Sequence, residues 1–311
     1  MKKILIVGSA NVDLSIRVAQ LPTVGETVLG KSLERVPGGK GANQACAVGR
    51  LGGDGCFLCA IGADAAGTLL QESLRGSGVD LQHVKICPEE NTGTAVVCVS
   101  DRGENNIIVV GGANVQCDPA YLKEREGLFR DCDILLLQME IPMESVAYAV
   151  GKAKSLGKTV ILNPAPAPED FPDEILKYVD YLTPNEVELF TLADMEMKND
   201  MESIVRAGKH LLEKGVGHLL VTLGGKGALY LDKKSYRLFA PPEVSVVDTT
   251  SAGDTFNAAF AVKLADGWNI ESAVRYANFA SSLAVSRKGA QDSIPTGQEV
   301  QDFLTARKAA L

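Results

Sequence analysis

The chain has 311 residues, 46% hydrophobic and 23% charged, a globular composition that excludes collagen-like, low-complexity and disordered classes and allows one large or two modest domains. Thirty-one Lys and Arg stand against thirty-nine Asp and Glu, a formal net charge of −8. A phosphate-backbone binder carries a basic excess or stripe, so nucleic acid is not an expected partner.

Met1-Lys2-Lys3 and the apolar run Ile4–Val7 imitate a signal peptide. Asn11 and Asp13 end the apolar stretch too soon for one, so the segment is expected to be the first strand of a cytoplasmic protein. Further strand-length runs follow at 56–61, 133–138, 159–162, 179–182 and 218–223. All fall far short of the roughly 18 apolar residues of a membrane span. Between them, 42–51, 65–75, 119–129, 143–155, 201–213, 255–265 and 270–286 carry apolar residues at helical spacing. This alternation predicts an α/β fold: a doubly wound, mostly parallel sheet with helices on both faces. Two segments break the pattern, 12–36 and 92–111, and the second predicts a β-hairpin turning at Asp101-Arg102-Gly103. Without repeats, long linkers or low-complexity tracts, these are expected to form a small β-lid inserted into a single domain spanning 1–311.

Seven cysteines are an odd number, and Cys46, Cys56, Cys59, Cys98 and Cys132 sit in apolar periodic surroundings, as reduced core thiols do. Cys56 and Cys59 form a CxxC, but positions three apart on a strand point to opposite faces. His83, His210 and His218 are scattered, so no zinc site is expected.

Residues 25–32 match the phosphate-loop expression GxxxxGK[ST]. A phosphate loop needs a buried strand before it and a helix after it, whereas Leu21-Pro22 precedes this match and Pro37-Gly38-Gly39 closes it; the β-branched Thr27 and Val28 fit a strand better. The first strand runs into Gly8-Ser9-Ala10-Asn11-Val12-Asp13, with one glycine where a dinucleotide fingerprint requires three. A stronger signal is VDTTSAGDTF, Val247–Phe256, leading into a helical pattern. Its small residues can aim backbone N–H groups at an anion with help from the helix dipole, or Ser251 or Asp254 can simply cap the helix. Pro37–Gln44 also opens a helix, either as a plain turn or as glycines admitting a ligand to the backbone. Asp13, Glu140, Asn185, Gly224 and Gly225 each follow the carboxyl end of an expected strand, the edge where open parallel sheets bind ligands.

In order, GSANVDL (8–14), PGGKGANQA (37–45), LQMEIP (137–142), NPAPA (163–167), TPNEVE (183–188), TLGGKGA (222–228), VDTTSAGDTFNAAF (247–260) and RKGAQDSIP (287–295) resemble the ribokinase family, the PfkB-type carbohydrate kinases, over nearly the whole chain. Asp292 departs from that pattern, standing where the family often has a small residue or proline. The resemblance implies ATP-dependent phosphorylation of a sugar hydroxyl, with D-ribose to D-ribose 5-phosphate as the expected reaction. Other acceptors in the family are deoxyribose, ketoses and nucleosides, and a noncatalytic sensor is a further alternative. Asp254 would be the general base and the Ala252-Gly253 turn the anion hole. Sugar contacts carry over to Asn11, Asp13, Gly39, Lys40, Gly41, Asn43 and Glu140. Nucleotide contacts carry over to Asn185, Thr222, Gly224, Gly225, Gly227 and Asn278. Asn185 and Glu188 match a pair that helps organise Mg²⁺ and phosphates. Asp248, Thr250, Ala284, Arg287, Gly289 and Ser293 match a potassium site built largely of carbonyls. Lys40, Lys226 and Lys288 either add local positive charge or are solvated surface lysines. The lid segments would leave sheet edges and a face uncovered, so a homodimer through the lid is expected.

Overall fold

The computed structural model describes residues 2–308; Met1 and 309–311 lie outside the described residues. In chain order, β1 (Lys3–Val7), β2 (Asn11–Val18) and β3 (Gly30–Gly38) precede helix α1 (Lys40–Arg50). Then come β4 (Asp54–Leu58), β5 (Ala60–Gly62), α2 (Ala65–Arg75), β6 (Lys85–Cys87), β7 (Gly93–Ser100) and β8 (Asn105–Val110). The middle of the chain supplies α3 (Pro119–Lys123), α4 (Glu126–Asp131), β9 (Ile134–Leu137), α5 (Met143–Ser155), β10 (Thr159–Leu162) and β11 (Tyr181–Leu182). Next are α6 (Glu186–Ala193), α7 (Met201–Glu213), β12 (His218–Thr222), β13 (Ala228–Leu231) and β14 (Tyr236–Phe239), and last α8 (Ala252–Ala265), α9 (Ile270–Val285) and α10 (Gly297–Lys308).

Eight strands form one sheet in the order β14-β13-β12-β11-β10-β9-β1-β4. It is parallel from β4 to β12, and β13 and β14 add an antiparallel edge. Strand alternation divides the core between the two faces: Leu5, Val7, Leu135 and Leu137 pack on one side, Ile4, Ile6, Ile134 and Leu136 on the other. Helices α5, α6 and α7 cover the first face, and α1, α2, α8 and α9 the second. Burial on both faces explains why the strands read as unbroken apolar runs. No helix among the described residues is long and apolar enough to cross a membrane.

The two pattern-breaking segments meet in a four-stranded sheet, β3-β2-β7-β8, with β2 and β7 parallel. Its hairpin turns where expected, with Gly103 at φ 82°. Thr27 and Val28 lie in irregular chain before β3 instead of in a strand, and no helix follows Lys31-Ser32, so no phosphate loop exists there.

Several boundaries differ from the sequence reading. The run at 56–61 breaks at Cys59, because β4 stays in the main sheet while β5 leaves it to pair with β6. The pattern at 119–129 splits into two short helices, α3 and α4. Helix α8 begins at Ala252, three residues earlier than the apolar periodicity indicates. The short α6 and the polar α10 carry weak periodic signals and were not legible. Cys98 is only partly buried, whereas Cys87 and Cys117 join the buried thiols; all seven are unpaired.

Candidate active site

Strand β1 and its neighbours end at the edge where α8 begins. Ser251-Ala252-Gly253 turns the chain straight into α8, with Ser251 at φ 59° and no side-chain cap. A side chain in this left-handed conformation costs about 1–2 kcal/mol, so the tight turn is held by its surroundings. The N–H groups of Gly253 and Asp254 have no acceptor among the described residues, while that of Ala252 reaches the Thr249 carbonyl at 3.3 Å. These free N–H groups and the dipole of a 14-residue helix favour an anion at this point.

Asp254 lies in the first turn of α8 and is buried. Its carboxylate does not cap the helix. Instead Oδ2 accepts from Asn43 Nδ2 and Oδ1 from Gln44 Nε2, each at 3.0 Å, both donors coming from α1. Burial pushes the carboxyl up, against the pull of Lys40 and of the two amide donors. Lys40 is the reverse case: burial works against its charge, but Asp254, Glu140, Glu188 and Asp13 together hold the ammonium above its ordinary range. A half-buried cation that lines the cavity and feels four carboxylates belongs to the site and is not a solvated surface lysine. Lys288, by contrast, is exposed and pairs with Glu34 of β3 at 3.1 Å.

The residues matched to sugar contacts converge beside Asp254. Glu140, just past β9, accepts from the Lys40 backbone N–H at 3.0 Å and from Ser9 Oγ at 2.5 Å. Gly39 has φ 86°, and a Cβ at Gly41 would lie 2.5 Å from the Ser9 nitrogen, so this turn must be glycine to pass under β1. Asn11, at the start of β2, is aligned by a 2.7 Å bond from Asn114 Nδ2. Asp13 is pushed up to about 6 by burial and by the Glu140 and Asp254 carboxylates, against Lys40. Asn43 Oδ1 is buried with no partner among the described residues.

On the far side of Asp254 opens a cavity of about 880 Å³. Asn185, Thr222, Gly224, Gly225, Gly227 and Asn278 all line it, together with Lys40, Glu188 and the α8 turn. Asn185 and Glu188 also form a capping box on α6: Asn185 N–H donates to Glu188 Oε2 at 2.9 Å, and Glu188 N–H donates to Asn185 Oδ1 at 2.8 Å. Burial holds the Glu188 carboxyl up despite Lys40. Asn278 donates to the Phe239 carbonyl at 2.8 Å, tying α9 to the end of β14.

The residues matched to a potassium site lie on two facing segments. Asp248 Oδ1 accepts from Thr250 N–H and Oγ1 at 2.9 and 2.6 Å, and Oδ2 accepts from Gly289 N–H at 3.0 Å. Burial pushes this carboxyl up, but those donors and the charge of Lys288 outweigh it and hold it low. The Ala284 carbonyl accepts from Arg287 N–H at 3.0 Å, Ser293 Oγ donates to the Ala290 carbonyl at 2.8 Å, and the Arg287 side chain turns away to Glu299 at 2.7 Å.

Sequence reasoning missed the second rank of polar groups. Asn163 Nδ2 donates to the Thr183 carbonyl at 3.1 Å, Thr183 Oγ1 to Asn257 Oδ1 at 2.5 Å, and Asn257 Nδ2 to the Gly253 carbonyl at 2.9 Å. Gln44 and Gln138, both fully buried, lie behind Asp254. Their signal is a polar residue in an otherwise apolar run, which only a known packing direction turns into a site. Outside this site Cys56, Asp80 and His83 bring donor atoms within 4.8 Å of one another. Cys56 and Cys59 pack into opposite core faces, and burial pushes the Cys56 thiol up to about 12.

A buried carboxylate set between hydroxyl-binding side chains and free N–H groups can deprotonate an alcohol beside an anionic group. Residues 1–297 match the family described as pfkB family carbohydrate kinase, and the chain belongs to that family. It is 37% identical over 303 residues to a ribokinase of Haemophilus influenzae, covering 97% of this chain and 98% of the relative. It is 39% identical over 305 residues to a ribokinase of Bacillus subtilis, covering 98% and 100%. The structure of Arabidopsis thaliana ribokinase complexed with ribose and ATP superposes with a TM-score of 0.91 at 38% identity, covering 97% and 98% of the two chains.

The raised Asp13 carboxyl has a stability consequence. Between pH 3.8 and about 6 the folded protein binds more protons at Asp13 than the unfolded chain, so stability falls as pH rises through that window and stays reduced above it. Asp13→Asn removes this penalty and is expected to stabilise the sugar-free protein by about 1–3 kcal/mol at pH 7.5, with the gain fading towards pH 4. Urea denaturation at both pH values checks this; an Asn variant less stable than wild type at pH 7.5 would contradict it.

Proposed function

We propose that this protein is an ATP-dependent sugar kinase that converts D-ribose to D-ribose 5-phosphate, in one α/β domain closed by the four-stranded sheet as a lid. The observation that carries the reading is the Asp254 carboxylate, buried, held by two amide donors from α1 and flanked on one side by Asn43 and Glu140 and on the other by a nucleotide-sized cavity. Family membership and the similarity to ribokinases support the substrate. Short polar side chains with unspent capacity, such as Asn43 Oδ1, suit an acceptor with several hydroxyls.

In this reading Asp13, Asn43 and Glu140 orient the sugar, with Asn11 and the Gly39–Gly41 backbone completing the pocket. Asp254 takes the proton of the attacking hydroxyl as its oxygen bonds to the γ-phosphorus and the bond to the ADP oxygen breaks. The free N–H groups of Gly253 and Asp254 at the Ala252-Gly253 turn and the Lys40 ammonium balance the charge on the transferring group, which needs positioning and neutralisation more than covalent help. Asn185, Thr222, Gly224, Gly225, Gly227 and Asn278 hold the nucleotide. Glu188, which lines the cavity, would help to hold a Mg²⁺ indirectly, with the phosphates as its other oxygen donors. When bound, that ion supplies charge neutralisation between the phosphates.

Asp254→Asn keeps the shape and one of the two amide contacts, with Asn43 able to turn its unpaired Oδ1 to the new NH2 group, but cannot take a proton. Turnover on ribose is expected to fall by roughly 10²- to 10⁴-fold with sugar affinity changed far less. A coupled assay over a panel of sugars and nucleosides tests enzyme and variant together; near-wild-type turnover by the variant removes the base, and a nucleoside outrunning ribose removes the substrate.

Oxygen donors around Asp248, Thr250, Ala284, Arg287, Gly289 and Ser293 fit a weakly hydrated monovalent cation, whose role would be to order the loop beside the α8 turn. Potassium is therefore expected to raise kcat over an equal concentration of a bulky organic cation at saturating Mg-ATP. Equal rates in the two salts would count against the site.

The lid exposes Ile107, Ile108, Val109 and Val110 on its edge strand β8, and Leu33 on the opposite edge strand β3. Contiguous apolar edge residues of this kind favour pairing with a second lid. A homodimer is expected in sedimentation at micromolar concentration, and a species of 32.9 kDa alone would refute it.

A further inference from the structure

Gln138, immediately after β9, and Gln44, on α1, are both fully buried, yet the reaction as described uses neither. Gln138 Nε2 donates to Gln44 Oε1 at 2.5 Å, and Gln44 Nε2 donates to Asp254 Oδ1 at 3.0 Å and to Asn163 Oδ1 at 3.1 Å. A primary amide has one accepting and one donating end, and its terminal torsion is roughly two-fold, so either orientation is open until neighbours decide. Here the choice propagates from the backbone. The Thr183 carbonyl can only accept, which turns Asn163 Nδ2 towards it and Asn163 Oδ1 towards Gln44. Asn163 Oδ1 and Asp254 Oδ1 can then be served only by Gln44 Nε2. Gln44 Oε1 in turn requires a donor, which Gln138 provides.

The chain of bonds ends at a loss: Gln138 Oε1 is buried with no partner among the described residues. It sits against Gly8, where a Cβ would lie 2.0 Å from it. An apolar side chain of the same length would remove that unpaired oxygen but leave Gln44 Oε1 without its donor, a near-even exchange, so stability alone does not account for a glutamine at 138.

We infer that Gln44 and Gln138 are positioning residues for the base: Gln138 holds the Gln44 amide in the orientation that donates to Asp254 and so keeps the carboxylate aimed at the acceptor. Without Gln138, Gln44 Oε1 loses its donor, and the amide can leave its place against Asp254 to find another. This rests on the reading of Asp254 as the base. The charged groups that face Asp254 are Lys40 from α1, Glu140 beyond β9, Asp13 from β2 and Glu188 from α6. A lost donor raises the Asp254 carboxyl further, because hydrogen bonds to a carboxylate favour its ionised form.

The test compares Gln138→Met, Gln44→Met and Asp254→Asn with wild type, measuring kcat and KM across pH and the melting temperature of each. In Gln138→Met, kcat is expected to fall about 10-fold with both KM values within about 3-fold, the acid limb of kcat to move to higher pH, and the melting temperature to stay close to wild type. Gln44→Met is expected to lose more, about 10²-fold, with the same displacement of the limb. A folded Gln138→Met with wild-type kcat and acid limb overturns the relay while an inactive Asp254→Asn leaves the base standing; turnover retained by Asp254→Asn overturns the base itself. Should Gln138→Met fail to fold, Gln138→Leu and Gln44→Met carry the same comparison.

Discussion

One buried carboxylate organises this protein's working edge. Removing the Asp254 charge from water is unfavourable unless donors and a countercharge replace the lost hydration. The fold supplies them from three directions: amides of Asn43 and Gln44 on α1, the ammonium of Lys40 one turn earlier, and the N-terminal dipole of α8. None of these works at a distance, so α1 and α8 must lie side by side on the same face of the sheet. Their packing is correspondingly close, with Ala42, Ala45, Ala258 and Ala261 all fully buried in that face. Small residues let the two helices approach until an asparagine on one reaches an aspartate on the other.

The same constraint explains the turn between β3 and α1. It must run beneath the end of β1 closely enough to bring Lys40 and Asn43 to Asp254, and the Ser9 nitrogen leaves no room for a Cβ at Gly41. The polar cost is then concentrated at the site. Of the seven buried side-chain atoms without a partner among the described residues, those of Asn43, Gln138, Ser251 and Thr255 belong to residues in or behind it. The left-handed Ser251 sits there too. Strain and unspent hydrogen-bonding capacity collected in one place are expected where a ligand completes the structure.

Much of this was legible in the sequence, for physical reasons that differ by element. Helices α2, α5 and α7 were readable to the residue because each buries one face, and their apolar spacing records it. The parallel strands were readable as apolar runs because both faces are covered. Where burial is uneven the signal failed: β14 is mostly exposed, α6 is short, and α10 presents a largely polar surface. At the site, Asp254, Asn43, Glu140 and the glycines stood out because small and polar residues at strand and helix ends have few structural uses. Whether Asp254 capped α8 was undecidable from spacing alone, and the amide donors across the helix pair answer it.

Gln44 and Gln138 show why the remainder was hidden. In sequence, Gln138 is one polar letter after an apolar strand and Gln44 stands next to Asn43 at a helix start, where a helix tolerates such a residue on its solvent side at no cost. Only the sheet order, which sets β9 beside β1, and the packing of α1 across them turn both side chains into the same dry space. There an amide needs a defined orientation, and its orientation has consequences for whatever it touches. The chain of acceptors running back to the Thr183 carbonyl means that the strand-end backbone of β11, about 140 residues from Gln44 in sequence, takes part in deciding which end of Gln44 faces Asp254. Specificity of this kind belongs to the assembled sheet edge and not to any motif, which is why a motif can point to Asp254 without disclosing what holds its carboxylate in place.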